Sequence, residues 1–129
     1  METTGKAPPV YRLKRDKYRK ARGGRARLID VYCAACDSLV LVYQKDLPRG
    51  LLKRCYIDRI FYPDKYAALQ KDPKVRGPKD LPALACAGCN ALLGTPILYT
   101  KHGERRLAYG MLHGRFTKKI STHGIGRER

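Results

Sequence analysis

The chain has 129 residues and carries 28 Lys/Arg against 11 Asp/Glu, a formal net charge of +17. That length fits one domain with extensions. No apolar run approaches the ~18 residues that a membrane span needs. The basic N-terminus lacks the apolar stretch of a secretory signal. The charge excess points to a polyanionic partner, and it is uneven. Residues 1–29 hold ten Lys/Arg and two acids (+8), and residues 30–129 hold eighteen and nine (+9). Residues 1–9, with Pro8-Pro9, read as unstructured. The stretch 10–27 (VYRLKRDKYRKARGGRAR) has few apolar residues, and Gly23-Gly24 would interrupt any helix. It reads as the denser part of a basic, largely extended arm over 1–29. Its candidates for phosphate contact are Arg12, Lys14, Arg15, Lys17, Arg19, Lys20, Arg22, Arg25 and Arg27. Tyr11 and Tyr18 are available to stack on bases. A solvated tail is the plainer reading of such a run, and a mitochondrial presequence is another, although no amphipathic face is clear.

The body is expected over 30–120. Residues 28–32 lead as a short strand into Cys33-Ala34-Ala35-Cys36-Asp37-Ser38-Leu39. Residues 39–44 (LVLVYQ) leave it as a short apolar run of buried-strand type. After a Pro/Gly turn at 46–50, residues 51–61 read as one strand, although Tyr56 and Ile60 blur its alternation. A turn or two of helix is predicted from Pro63 to Gln70, then a proline-rich loop over 71–82. Cys86-Ala87-Gly88-Cys89-Asn90-Ala91-Leu92 repeats the first motif 53 positions on. Short strands follow at 96–100, 105–113 (Leu107, Tyr109 and Met111 on one face) and 115–120, with a polar tail over 121–129. The sum is a mainly β, antiparallel domain of about six to eight short strands.

The repeated heptad carries the chemistry. Each copy has C-x-x-C, then Asp or Asn, a small residue and leucine. Two such turns bring four thiolates together, a donor set that suits one tetrahedral structural zinc; iron fits an S₄ set too. The Asx residue tolerates the left-handed backbone that a tight knuckle needs. The predicted ligands are Cys33, Cys36, Cys86 and Cys89. Four sulfurs leave no open position, so the metal would serve folding rather than catalysis. A redox pair is the competing reading. Metal-type cysteine spacing favours a reducing compartment, the cytoplasm first, with nucleus and mitochondrion compatible. Cys55, the fifth cysteine, reads as a buried inert thiol.

The spacing C-x₂-C, 49 residues, C-x₂-C is similar to the yippee-like proteins. So is LACAGCNALLG followed by a hairpin and AYGMLHGRF, and the resemblance spans roughly 31–120. It implies a β-tent fold, two antiparallel sheets pinned by one zinc on the same four cysteines. The segment 45–76 and the basic arm depart from that family, so the resemblance concerns architecture. Proteins of this architecture do unrelated things, and fold alone does not fix function.

Three functions compete. The first is an RNA-binding protein, ribosomal or ribosome-associated, contacting rRNA through the arm and through Arg115, Lys118 and Lys119. Lys53, Arg54, Arg59, Arg105 and Arg106 are further basic candidates. Period-2 geometry would put Arg115, Thr117 and Lys119 on one face. The second is a zinc-scaffolded adaptor for a ribosomal or other acidic protein. The third is a thiol-dependent enzyme using Cys55, but His102, His113 and His123 show no triad spacing, so no catalysis and no small-molecule substrate are expected.

Overall fold

A computed structural model describes residues 10–121 and 124–125. The expected unstructured stretch 1–9 and most of the expected tail lie outside those residues. Ten strands are present among the described residues: β1 (Val10–Tyr11), β2 (Arg27–Cys33), β3 (Leu39–Lys45), β4 (Arg54–Tyr56), β5 (Ile60–Tyr62), β6 (Leu84–Ala85), β7 (Leu92–Tyr99), β8 (Arg106–Met111), β9 (Phe116–Ile120) and β10 (Gly124–Ile125). Two antiparallel four-stranded sheets form, in the orders β5-β3-β2-β9 and β4-β8-β7-β6. β1 and β10 add a short parallel pair. The helices are brief: α1 (Lys17–Ala21) and α2 (Asp64–Ala67), the latter continued by a 3₁₀ turn over 68–71 where the helical turns were expected.

The first sheet is a middle layer, which explains the continuous apolar run in β3. Cross-strand partners Ile29/Tyr43 and Val31/Leu41 join the main core with Leu84, Leu93 and Tyr109 of the second sheet. The alternate residues Leu28 and Val42 face the other way and meet Leu13, and Tyr11 stacks on Phe61 at 5.6 Å. With apolar cover on both faces, alternation disappears from the strand.

Two expectations change. The strand predicted over 51–61 is split: β4 belongs to the second sheet, a 3₁₀ turn over Ile57–Arg59 follows, and β5 pairs with β3 in the first. The blurred alternation at Tyr56 and Ile60 marks this crossing, because the inward direction reverses between sheets. Residues 11–27, expected as an extended arm, are packed on the body and include a helical turn. Asp16 caps α1, its Oδ1 accepting from the N–H groups of Tyr18 and Arg19 at 3.1 Å each. Gly23 and Gly24, at φ 101° and 80°, close it. Their N–H groups donate to the carbonyls of Lys20 and Arg19, which is a Schellman ending.

Candidate metal centre and basic surface

Each cysteine pair sits on a turn between two strands, the first between β2 and β3 and the second between β6 and β7. The turns have the same wiring. Cys33 N–H donates to Ser38 O (2.9 Å) and Asp37 N–H to Cys33 O (2.8 Å). Cys86 N–H donates to Ala91 O (2.9 Å) and Asn90 N–H to Cys86 O (2.8 Å). Asp37 and Asn90 have φ of 62° and 65°, the left-handed conformation the motif predicts. In each pair the first cysteine is buried at a strand end and the second is exposed.

The four sulfurs lie within 4.8 Å of one another. Cys33 Sγ is 3.6 Å from Cys89 Sγ, and Cys36 Sγ is 3.5 Å from Cys86 Sγ. No cysteine is in a disulfide. Zinc–sulfur bonds of about 2.3 Å at tetrahedral angles give sulfur–sulfur edges of about 3.8 Å. The spacing therefore fits one zinc. Because one knuckle belongs to each sheet, the metal ties the two sheets together at one end.

Polar groups around the sulfurs favour thiolates. Ser38 Oγ lies 3.2 Å from Cys36 Sγ, and the Gly88 N–H donates to Cys86 Sγ at 3.3 Å. The Ser38 hydroxyl and backbone N–H draw Cys36 down to about 6. Cys89 accepts from the Ala91 N–H, yet the sulfurs of Cys33 and Cys36 push it up to about 12. Four thiols this close cannot all ionise without a cation, and a bound zinc supplies that charge. Gly88 allows the knuckles to meet: a Cβ there would lie 2.8 Å from Ser38 Oγ.

The predicted basic contacts divide into two groups. Some are tied down within the fold. Arg22 makes a bidentate pair with Glu104, at 2.9 Å for both bonds. Arg19 Nε donates to Gly24 O at 2.9 Å, and Lys14 Nζ donates to Gln70 Oε1. Lys17 lies 5.2 Å from the Tyr18 ring centre and Lys119 5.4 Å from that of Tyr32. Arg15 is exposed and has a partner as well, and Arg12, Lys20, Arg25, Arg27 and Lys118 are exposed. Arg115 lies in the turn before β9, its Nη1 3.4 Å from Leu92 O. Thr117 and Lys119 share the face of Tyr32 and Asp30, while Lys118 lies opposite Val31.

Arg59 and Arg106 are corrected from surface candidates to buried structural residues. Arg59 has no exposed surface and bonds Asp46 (2.7 Å) and both oxygens of Asp16 (3.0 and 2.6 Å). Arg106 bonds Asp58 at 2.7 Å, and its guanidinium lies between the rings of Tyr18 and Tyr56, 3.9 and 3.7 Å from their centres. Carboxylates spaced far apart in sequence, at 16, 46, 58 and 104, converge on these arginines, so local composition could not reveal the network. Burial opposes ionisation of Asp16, but Arg59 and the helix N–H groups outweigh it and hold Asp16 down to about 2. Cys55 is enclosed as expected, and burial raises its thiol. Arg49, in the Pro48-Arg49-Gly50 turn, is exposed.

Two antiparallel sheets closed by four clustered cysteines define the class: a small, mainly β domain with one structural zinc site. No family model, curated protein or solved structure matches the chain. Among the described residues no helix is long and apolar enough to cross a membrane.

Proposed function

We propose that the protein is a zinc-stabilised RNA-binding domain of β-tent type, related in architecture to the yippee-like proteins, that works in or beside the ribosome. The observation that carries this reading is where the negative charge goes. Asp30 and Asp46 are buried, and Asp16, Asp58 and Glu104 are engaged by arginines. A chain already at +17 thus turns several of its few carboxylates inward and leaves its exposed lysines and arginines to the solvent. Such a surface binds phosphates by releasing their counterions. The reading assigns zinc to the scaffold and assigns no catalysis.

The test is sedimentation of the tagged protein on sucrose gradients at low and high salt, with and without RNase. Migration with a ribosomal particle, released by salt or RNase, is the expected result. Migration at the top of the gradient would refute it. An RNase-resistant complex would favour the adaptor, for which the exposed side chains of Leu47 and Leu51 are the specific observation.

A further inference from the structure

Resting on the RNA-binding reading, we infer that single-stranded RNA runs along a trough formed where the loop between β3 and β4 meets residues 25–28, which lead into β2. Two clefts adjoin there, and Arg49 lines both. One, of about 290 Å³, lies over the loop and includes Leu47, Leu51, Lys53 and Arg54. The other, of about 430 Å³, includes Arg25, Arg27, Pro48 and Ile120.

The exposed charges lining these clefts are positive among the described residues. Arg25, Arg27, Arg49 and Lys53 are exposed, and none has a side-chain hydrogen bond or ion pair among the described residues. Among the described residues the sole carboxylate lining either cleft is Asp46, which is committed to Arg59 and Gln44. The inner arginine at this wall, Arg22, is spent on Glu104, so the unpaired cations are the outer ones. Arg49 lines both clefts and so links the cations of one to those of the other. Cations at two clefts that share a residue suit a repeating phosphate backbone better than a single anionic group.

Apolar surface lies beside the cations. Leu47 and Leu51 are 57% and 66% exposed at the first cleft, and Ile120 is 64% exposed at the second. Exposed large apolar side chains next to unpaired cations match a nucleotide's two parts, the flat base and its phosphate. The base would lie against Leu47 and Leu51, with phosphates at Arg49, Lys53 and Arg25. The track therefore joins two stretches that the sequence keeps apart, the arm and the β3–β4 loop.

The experiment is fluorescence anisotropy of a labelled U10 RNA with the full chain. R49A/K53A should weaken binding by at least tenfold. K74A/K101A removes the same charge from exposed positions that line neither cleft, and should weaken it by no more than about threefold. The charge-neutral L47S/L51S should cost about three- to tenfold, since it removes only the apolar wall. None of these side chains has a hydrogen bond or ion pair among the described residues, so thermal unfolding should change little. Equal losses for the two charge pairs, or no loss for L47S/L51S, would overturn the trough while leaving RNA binding in place. No binding of U10 by the native chain at moderate salt would overturn the RNA-binding reading itself. An oligoglutamate of equal charge binding as tightly as U10, with the same loss in R49A/K53A, would show an acidic-protein site instead.

Discussion

Two regions of this molecule do the same mechanical task with different chemistry. The knuckle tip joins the two sheets through four sulfurs, on turns rich in alanine and glycine. The N-terminal segment joins the outer face of the first sheet through Leu13, Gln44 and Arg59. Gln44 clamps the Lys14 backbone, accepting from its N–H at 2.5 Å and donating to its carbonyl at 2.9 Å. Arg59 bridges Asp46 of the body to Asp16 of the segment. The tip places its four strong bonds on one ion. The segment spreads its attachment over a buried amide, a buried arginine and a few apolar contacts. Loss of the ion should therefore be all-or-none, whereas loss of any one segment contact should be graded.

The largest effect expected is at the tip. Cys89→Ser, or chelation of the native protein, should unfold the domain, because binding energy of a structural zinc is of order 10 kcal/mol and is folding energy. Circular dichroism with a zinc-release assay would check this. An unchanged cooperative melt after metal removal would show that the sulfurs do not hold the sheets together.

A smaller loss is expected at the segment. Arg59→Ala strands the buried Asp46 carboxylate and should cost about 3–5 kcal/mol. Gln44 still donates to Asp46 at 2.7 Å, which places the expected loss toward the lower value. The decisive comparison is zinc content. R59A should keep one zinc per chain at temperatures where it is folded, while its urea midpoint falls. Loss of zinc from folded R59A would mean that the two attachments are one cooperative unit. Leu13→Ala should follow at about 2 kcal/mol, since its site is a small cluster with Leu28 and Val42. A midpoint equal to that of the native chain would mean the segment is not held by its apolar contact.

The same contrast explains what could be read from the sequence. Each knuckle is legible because its determinants are local: two thiols, a left-handed Asx and two strands, all within a heptad and its flanks. The joining of the two knuckles follows from the donor number of zinc. The segment is much less legible. Leu13 is a lone leucine in a basic run, and nothing near it in sequence names Leu28 or Val42 as partners. Asp16 and Gly23-Gly24 bound α1, but a helix of five residues with no buried side chain carries no apolar period to announce it. The crossing between sheets at 57–59 was visible only as a disturbed alternation. The trough joins the start of β2 to the loop between β3 and β4, and no pattern within either stretch predicts the other.

The smallest effect expected lies inside the tip and tests how closely its two halves are fitted. The heptads differ at three positions, and two of the differences meet across the tip: Gly88 stands where the first heptad has Ala35, and Ser38 where the second has Ala91. Gly88 is not at positive φ, so its backbone accepts alanine. What opposes alanine is Ser38, whose Oγ would be 2.8 Å from the new Cβ while Ser38 Cβ would be at an ordinary 3.5 Å. In Gly88→Ala the hydroxyl must swing aside and give up its contact with Cys36, a loss of about 1 kcal/mol. In a Ser38→Ala background the obstruction is absent, and the same substitution should be neutral or stabilise by about 0.4–1 kcal/mol through the unfolded chain. The double-mutant cycle, read from thermal or urea midpoints with zinc present, should therefore show coupling between residues 38 and 88. Additive effects would mean that the knuckles meet through the metal alone.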